Sequence, residues 1–157
     1  MRLFLLRHAH AESSAASDHN RRLTAEGIEK SENAGRVLAT LNLKPARIYS
    51  SPRLRARETA EIVARALGQS VSITEAVNFG FNLRAVSDLI KDLDDDADVM
   101  FVGHNPTFSM VVQELTGADV QMKRCGLARI DVYSYSPLRG ELVWLIPPAV
   151  FGALIED

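Results

Sequence analysis

Apolar residues follow two periods along this chain. The uninterrupted runs Leu3 to Leu6 and Val99 to Val102 predict strands buried on both faces. Arg47 to Ser50, after Pro45, predicts another strand, and Val71 to Ile73 a short one. Between them, apolar positions recur every three or four residues, as on one face of a helix. Thr24 caps a predicted helix that reaches about Leu41. Ser51 as N-cap and Pro52 as first helical residue open a second, which Gly68 stops, with Ala56, Ala60, Val63 and Leu67 as its core stripe. Leu83 to Leu93, with Val86, Leu89, Ile90 and Leu93 inward, and Thr107 to Thr116 predict two more helices. Ala128 to Tyr135 and Glu141 to Ile146 read as a hairpin joined through Pro137 and Gly140; the residues beyond carry little pattern. Strands alternating with helices predict a single-domain α/β protein over residues 1–157, with a mostly parallel sheet.

Composition narrows the class. The 157 residues suffice for one domain and fall short of two full-sized domains or a (βα)8 barrel. With 18 Lys+Arg against 20 Asp+Glu, the net charge of -2 gives no polybasic surface for nucleic acid. The longest apolar stretches, such as Leu142 to Val150, are broken by Trp144, Pro147 and Pro148 and fall short of the ~20 residues of a membrane helix, so no membrane partner is expected. The single cysteine, Cys125, excludes an internal disulfide and a cysteine-built zinc site and fits a reducing, cytoplasmic setting.

Three predicted strand ends carry the unusual residues: Arg7-His8-Ala9-His10, Ser50-Ser51-Pro52 leading to Arg55, and Gly103-His104-Asn105. Ligands of open α/β sheets bind outside the carboxyl ends of the strands, so these segments can converge on one pocket. Two histidines with two arginines suit an anion: guanidinium offers a planar fork to phosphate, and a neutral imidazole serves as nucleophile or acid and base. Arg53, Arg55 and Arg57 also crowd the first turns of a helix, where the macrodipole disfavours cations. On a helix Arg53 and Arg57 share a face and Arg55 projects roughly opposite. A solvated face with Arg57–Glu61 and Arg55–Glu58 pairs is the plain alternative. His10 and His19 read as loop residues bonded to backbone, and the run Asp92 to Asp98 as a solvated helix end and turn.

Leu-Leu-Arg7-His8-Ala9 resembles the Arg-His-Gly signature of the histidine phosphatase superfamily, with its phosphoglycerate mutase-like, three-layer α/β/α fold. Ser51-Pro52-Arg53-Leu54-Arg55-Ala56-Arg57-Glu58-Thr59 resembles the family's Ser-Pro-x-x-Arg-Ala-x-x-Thr segment, and Val102-Gly103-His104-Asn105-Pro106 the segment of its second histidine. Ser17 to Gly27 is similar to the loop and helix start of the short, SixA-type phosphohistidine phosphatases. The resemblance implies that His8 is the nucleophile and forms a phosphohistidine intermediate. Arg7 and Arg55 clamp the phosphoryl oxygens, His104 donates to the transition-state charge, and Arg21 joins the substrate-binding set. Neither metal nor other cofactor is implied. The substrate would be a phosphorylated protein, such as a histidine phosphotransfer domain, or a small phosphorylated molecule.

The chain departs from that pattern twice. Ala9 stands where the family has glycine, which would be strained at positive φ. The carboxylate that protonates the leaving group in larger members has no clear counterpart; Glu75, Glu12 and Asp18 are the candidates. Three other readings compete: a phosphatase of small phosphomonoesters with the same site, a metal-dependent hydrolase using His8, His10 and His104, and a phosphate-binding module without turnover. The short connections 70–83 and 117–127 leave no room for a large cap and predict a shallow, open pocket.

Overall fold

The computed structural model describes residues 1–155. Six strands, β1 (Arg2–Arg7), β2 (Arg47–Ser50), β3 (Ser72–Ile73), β4 (Asp98–Gly103), β5 (Leu127–Tyr135) and β6 (Leu138–Ile146), form one sheet in the order β3-β2-β4-β1-β5-β6. The neighbours from β3 to β1 are parallel, and β5 and β6 extend the sheet antiparallel. Helices α1 (Ala25–Thr40), α2 (Leu54–Leu67), α3 (Leu83–Ile90), α4 (Thr107–Thr116) and α5 (Pro148–Ile155) cover both faces, as predicted for a three-layer α/β/α fold.

The period-two geometry of a strand explains the two cores. Leu3 and Leu5 of β1 face the side of α3 and α4 with Val99, Phe101, Phe108 and Val112, while Phe4 and Leu6 face α1, α2 and α5 with Met100, Val102, Leu38 and Phe151. A strand buried twice must be apolar throughout, which is why β1 and β4 read as continuous runs.

Several boundaries depart from the sequence reading. Helix α2 starts at Leu54: Pro52 precedes it, and Arg53 is its extended N-cap (φ -65, ψ 134). The Ser51 hydroxyl accepts from Arg53 N at 3.2 Å but also engages His104, so a tertiary contact shares the expected cap. At the other end Gly68 takes the left-handed conformation, φ 67, as a C-cap glycine should. Helix α3 stops at Ile90, and Gly140 lies inside β6 opposite Val132 instead of in the turn. Asp98 does not belong to the solvated acidic run; it is buried and binds Arg2 through two bonds of 2.5 and 2.6 Å. The weakly patterned end forms α5 on α1, with Phe151 fully buried.

This topology positions the site. Because β2, β4 and β1 are adjacent and parallel, their carboxyl ends emerge along one sheet edge, and the register sets Arg7 opposite Gly103 and Ser50 opposite Val102. Beyond the strands, His8 N donates to Gly103 O at 2.9 Å and Ser51 N to Val102 O at 3.0 Å. The antiparallel β5 begins at the same edge: Arg7 N donates to Gly126 O at 3.1 Å, bringing the 117–126 connection alongside.

Candidate active site

The three strand ends meet as the sequence predicts. His8 and His104, 8% and 1% exposed, lie with ring centroids 5.4 Å apart. The His8 Nδ1 lies 2.7 Å from Ala9 O. A carbonyl only accepts, so Nδ1 carries the proton and the lone pair is on Nε2. Burial depresses the His8 pKa, and the charges of Arg55, Arg7 and Arg21 reinforce this against the Ala9 bond, bringing it to about 4. At neutral pH His8 is therefore an uncharged imidazole with a free nitrogen.

His104 is oriented by Ser51, whose hydroxyl lies 2.8 Å from His104 Nε2. Ser51 Oγ accepts from Arg53 N and has no acceptor for its own proton other than Nε2; with that proton given to Nε2, the ring proton of His104 sits on Nδ1. That Nδ1 is buried and has no hydrogen-bond partner. Burial, then His8, Arg55 and Arg53, lower the His104 pKa to about 3.

Arg7 donates from Nη1 to Met122 O at 2.8 Å, and its buried Nε has no partner. Arg55, 4% exposed, likewise keeps a buried Nε without a partner. Three buried donors left free beside two neutral imidazoles are unusual in a folded protein, where such groups are nearly always paired. The charges of Arg55 and Arg7 bear on His8, and that of Arg55 on His104, so these donors belong to one electropositive pocket suited to an oxyanion.

The arginine cluster differs from the helical-wheel expectation. Arg53 and Arg55 do not diverge; both reach Asp18 Oδ2, at 2.6 and 3.2 Å, because Arg53 precedes the helix. Arg55 Nη1 also donates to Asp18 O at 2.9 Å, and Arg21 Nη1 to Asp18 Oδ1 at 3.1 Å. Arg57 does pair with Glu61 at 3.4 Å in solvent, whereas Glu58 accepts from Leu23 N at 2.9 Å instead of meeting Arg55. Thr59 bridges the two motifs: its Oγ1 accepts from Ala9 N at 3.1 Å and donates to Arg55 O at 2.8 Å.

Ala9 is not strained, since Asn42 and Cys125 are the only non-glycine residues at positive φ among the described residues. The candidate proton donors do not share one environment. Burial raises the Asp18 pKa, but the Arg21 bond and the charges of Arg55 and Arg53 outweigh it and hold the carboxyl below its usual range, the opposite of what an acid needs. Glu75 is exposed and accepts from Asn78 at 2.8 Å. Glu12 is exposed, and its backbone carbonyl holds Arg21 Nε at 2.6 Å. His10 faces Thr24, its Nδ1 2.8 Å from Oγ1, and no three-ligand group of His, Cys, Asp or Glu forms among the described residues, which removes the His8/His10/His104 hydrolase reading.

Sequence reasoning missed three contributors. Ser51 reads locally as a helix cap and as the start of a family motif, neither of which points to its contact with His104. Asp18 as a counter-ion has no local signal, since its partners lie up to 37 residues away. Phe79 has its ring edge-on to His104 at 4.9 Å and under the Arg53 guanidinium at 3.9 Å; a lone aromatic after a weak strand looks ordinary.

Fold and site together define a phosphoryl-handling α/β enzyme. Residues 3–78 match the family model of the histidine phosphatase superfamily (branch 1). The phosphohistidine phosphatase SixA of Escherichia coli is 31% identical over 143 residues, 91% of this chain and 72% of that protein. A SixA homolog of Haemophilus influenzae is 33% identical over 128 residues, 74% of this chain and 78% of that one. The structure of protein histidine phosphatase SixA complexed with tungstate superposes with a TM-score of 0.85 at 26% identity, covering 96% of this chain and 99% of that one. The chain belongs to the histidine phosphatase superfamily, in its short, SixA-type branch, and is a phosphatase.

Proposed function

We propose that this protein hydrolyses phosphohistidine on proteins, without a metal, through a phosphohistidine intermediate on His8. The observation that supports the reading is that Arg7 Nε, Arg55 Nε and His104 Nδ1 are buried without partners, in residues whose rings or charges bear on a His8 that presents a lone pair. The His8 Nε2 attacks phosphorus as the bond from phosphorus to the leaving nitrogen breaks. Arg7, Arg55 and His104 take up the charge on the equatorial oxygens, the part of phosphoryl transfer a protein contributes most to, where one placed arginine is worth about 10³ or more in rate. Arg21 supports the clamp by binding Asp18, the counter-ion of Arg55. Water then attacks phospho-His8, returning the imidazole and releasing phosphate.

A phosphoramidate leaving group is a nitrogen that can already carry a proton, so a site with no evident acid is at least disadvantage on that substrate. The SixA names of the two bacterial relatives support the same class. Among the described residues no helix is long and apolar enough to cross a membrane, and the single Cys125 is buried, its thiol pushed up to about 12; a reducing, cytoplasmic setting is part of the proposal.

The test is a trapped intermediate. Brief exposure to a ³²P-phosphorylated histidine phosphotransfer protein is expected to leave an acid-labile label on the wild type and none on His8→Ala. Turnover without label, or label retained in His8→Ala, overturns the mechanism; phosphomonoesters hydrolysed in preference to phosphohistidine overturn the substrate class.

A further inference from the structure

A groove of about 540 Å³ opens beside the phosphoryl site, and the phosphatase reading leaves it unused. Its walls include Phe79, Phe81, Asn105, Pro106, Met110 and Glu114. Phe79 joins the two: its ring meets His104 edge-on at 4.9 Å and also lines the groove. Phe79 and Met110 are 49% and 54% exposed, although both are large and apolar, over a floor of buried Phe81 and Val111. Exposed apolar surface gathered in a concavity next to a reactive centre marks a place where something binds.

The groove runs along α4, where Thr107, Met110, Val111 and Glu114 follow the spacing of one helix face. From Pro106 to Glu114 is about 12 Å at 1.5 Å per residue. Its two ends differ in charge: Arg53 and Arg55 lie behind Phe79, and Glu114 stands exposed at the other end. An occupant that matches this sequence of surfaces carries a phosphoryl group, then apolar side chains, then a cation, spaced over about two helical turns. A small phosphorylated metabolite has no means of spanning it.

We infer that the groove docks the substrate protein itself: an amphipathic helix bearing phosphohistidine, with apolar residues three and four positions along and Lys or Arg at seven or eight. The inference rests on the proposed phosphohistidine activity and assigns to that site its recognition surface. Binding energy taken from the groove is remote from the reacting bond and favours a protein over a free phosphoramidate.

The experiment compares two probes on the full chain: a purified histidine phosphotransfer domain phosphorylated on histidine, and free phosphohistidine. Met110→Asp changes an exposed side chain outside the proposed phosphoryl-binding set, and its fold is checked by thermal melting, with Met110→Leu as the conservative control. The expected result is a tenfold or greater loss of kcat/KM on the phosphoprotein, carried by KM and restored in Met110→Leu, with free phosphohistidine within twofold of wild type. Glu114→Lys is expected to lower kcat/KM on the phosphoprotein severalfold. Equal effects on both probes, or none on the phosphoprotein, overturn docking while leaving the phosphatase reading intact. A wild type that hydrolyses neither probe overturns the activity and the docking with it. Self-association of the wild type that Met110→Asp abolishes assigns the groove to a second copy and also overturns the inference.

Discussion

Asp18 holds Arg55 at two points: its backbone carbonyl accepts from Nη1 at 2.9 Å and its carboxylate from Nη2 at 3.2 Å. The side chain that orients Arg55 is therefore itself an anion, shared with Arg53 and Arg21. Asp18 is about half exposed, which places its pairing energy near the lower range for ion pairs, roughly 1 kcal/mol.

Replacing that carboxylate separates charge from alignment. Asp18→Asn removes a competitor for the guanidinium groups, so inorganic phosphate is expected to bind severalfold tighter by calorimetry. It also loosens Arg55, so kcat is expected to fall about tenfold, the scale of one misplaced transition-state contact. Phosphate affinity unchanged or weakened would show that Asp18 acts only as a scaffold.

In the proposed mechanism Ser51 acts through His104, which it contacts at 2.8 Å. Removing its hydroxyl leaves the buried Nε2 of His104 without its donor and lets the ring proton move from Nδ1. Ser51→Ala is expected to lower kcat about 10–100-fold with KM little changed, the signature of an interaction made in the transition state. The unmet nitrogen costs about 1–3 kcal/mol of stability, read from the urea midpoint. Ser51→Thr restores part of the activity; equal losses in both variants would point to packing.

The two buried histidines of the site, His8 and His104, make the protein acid-sensitive. Their pKa values, about 4 and about 3, lie below the ~6.5 of an unfolded chain, so the unfolded state binds more protons between those limits. Stability from this source is complete above pH 6.5 and falls as pH drops from 6.5 through 4 toward 3. The urea midpoint is expected to decline over that window, and less steeply in His8→Ala. NMR titration checks the premise: His8 and His104 ring signals stay in the neutral form down to pH 5, and midpoints near 6.5 would refute it.

Local sequence determined much of this protein. Runs such as Leu3 to Leu6 could be read as doubly buried strands because a side-chain period of two sends neighbours to opposite cores. Thr24 and Gly68 marked helix ends because capping depends on a few adjacent atoms, and both cap as expected. Arg7, His8 and His104 could be placed together because they stand at the ends of strands the local residues dictate, and Arg55 because it opens the helix after another.

Long-range geometry decided the rest. Whether Arg53 and Arg55 share a ligand depended on where α2 begins, and the Ser51 expected to cap that helix also bonds His104, 53 residues away in the chain. Asp18 became the counter-ion of three arginines because the first loop folds across the sheet edge, a placement that no periodicity encodes. Hydrogen bonds and ion pairs between distant segments are selected by the assembled surface, since each exposed group could pair equally well elsewhere. Covalent order thus fixes strands, caps and the candidate nucleophile, and only the packed sheet determines which charges face one another across the site.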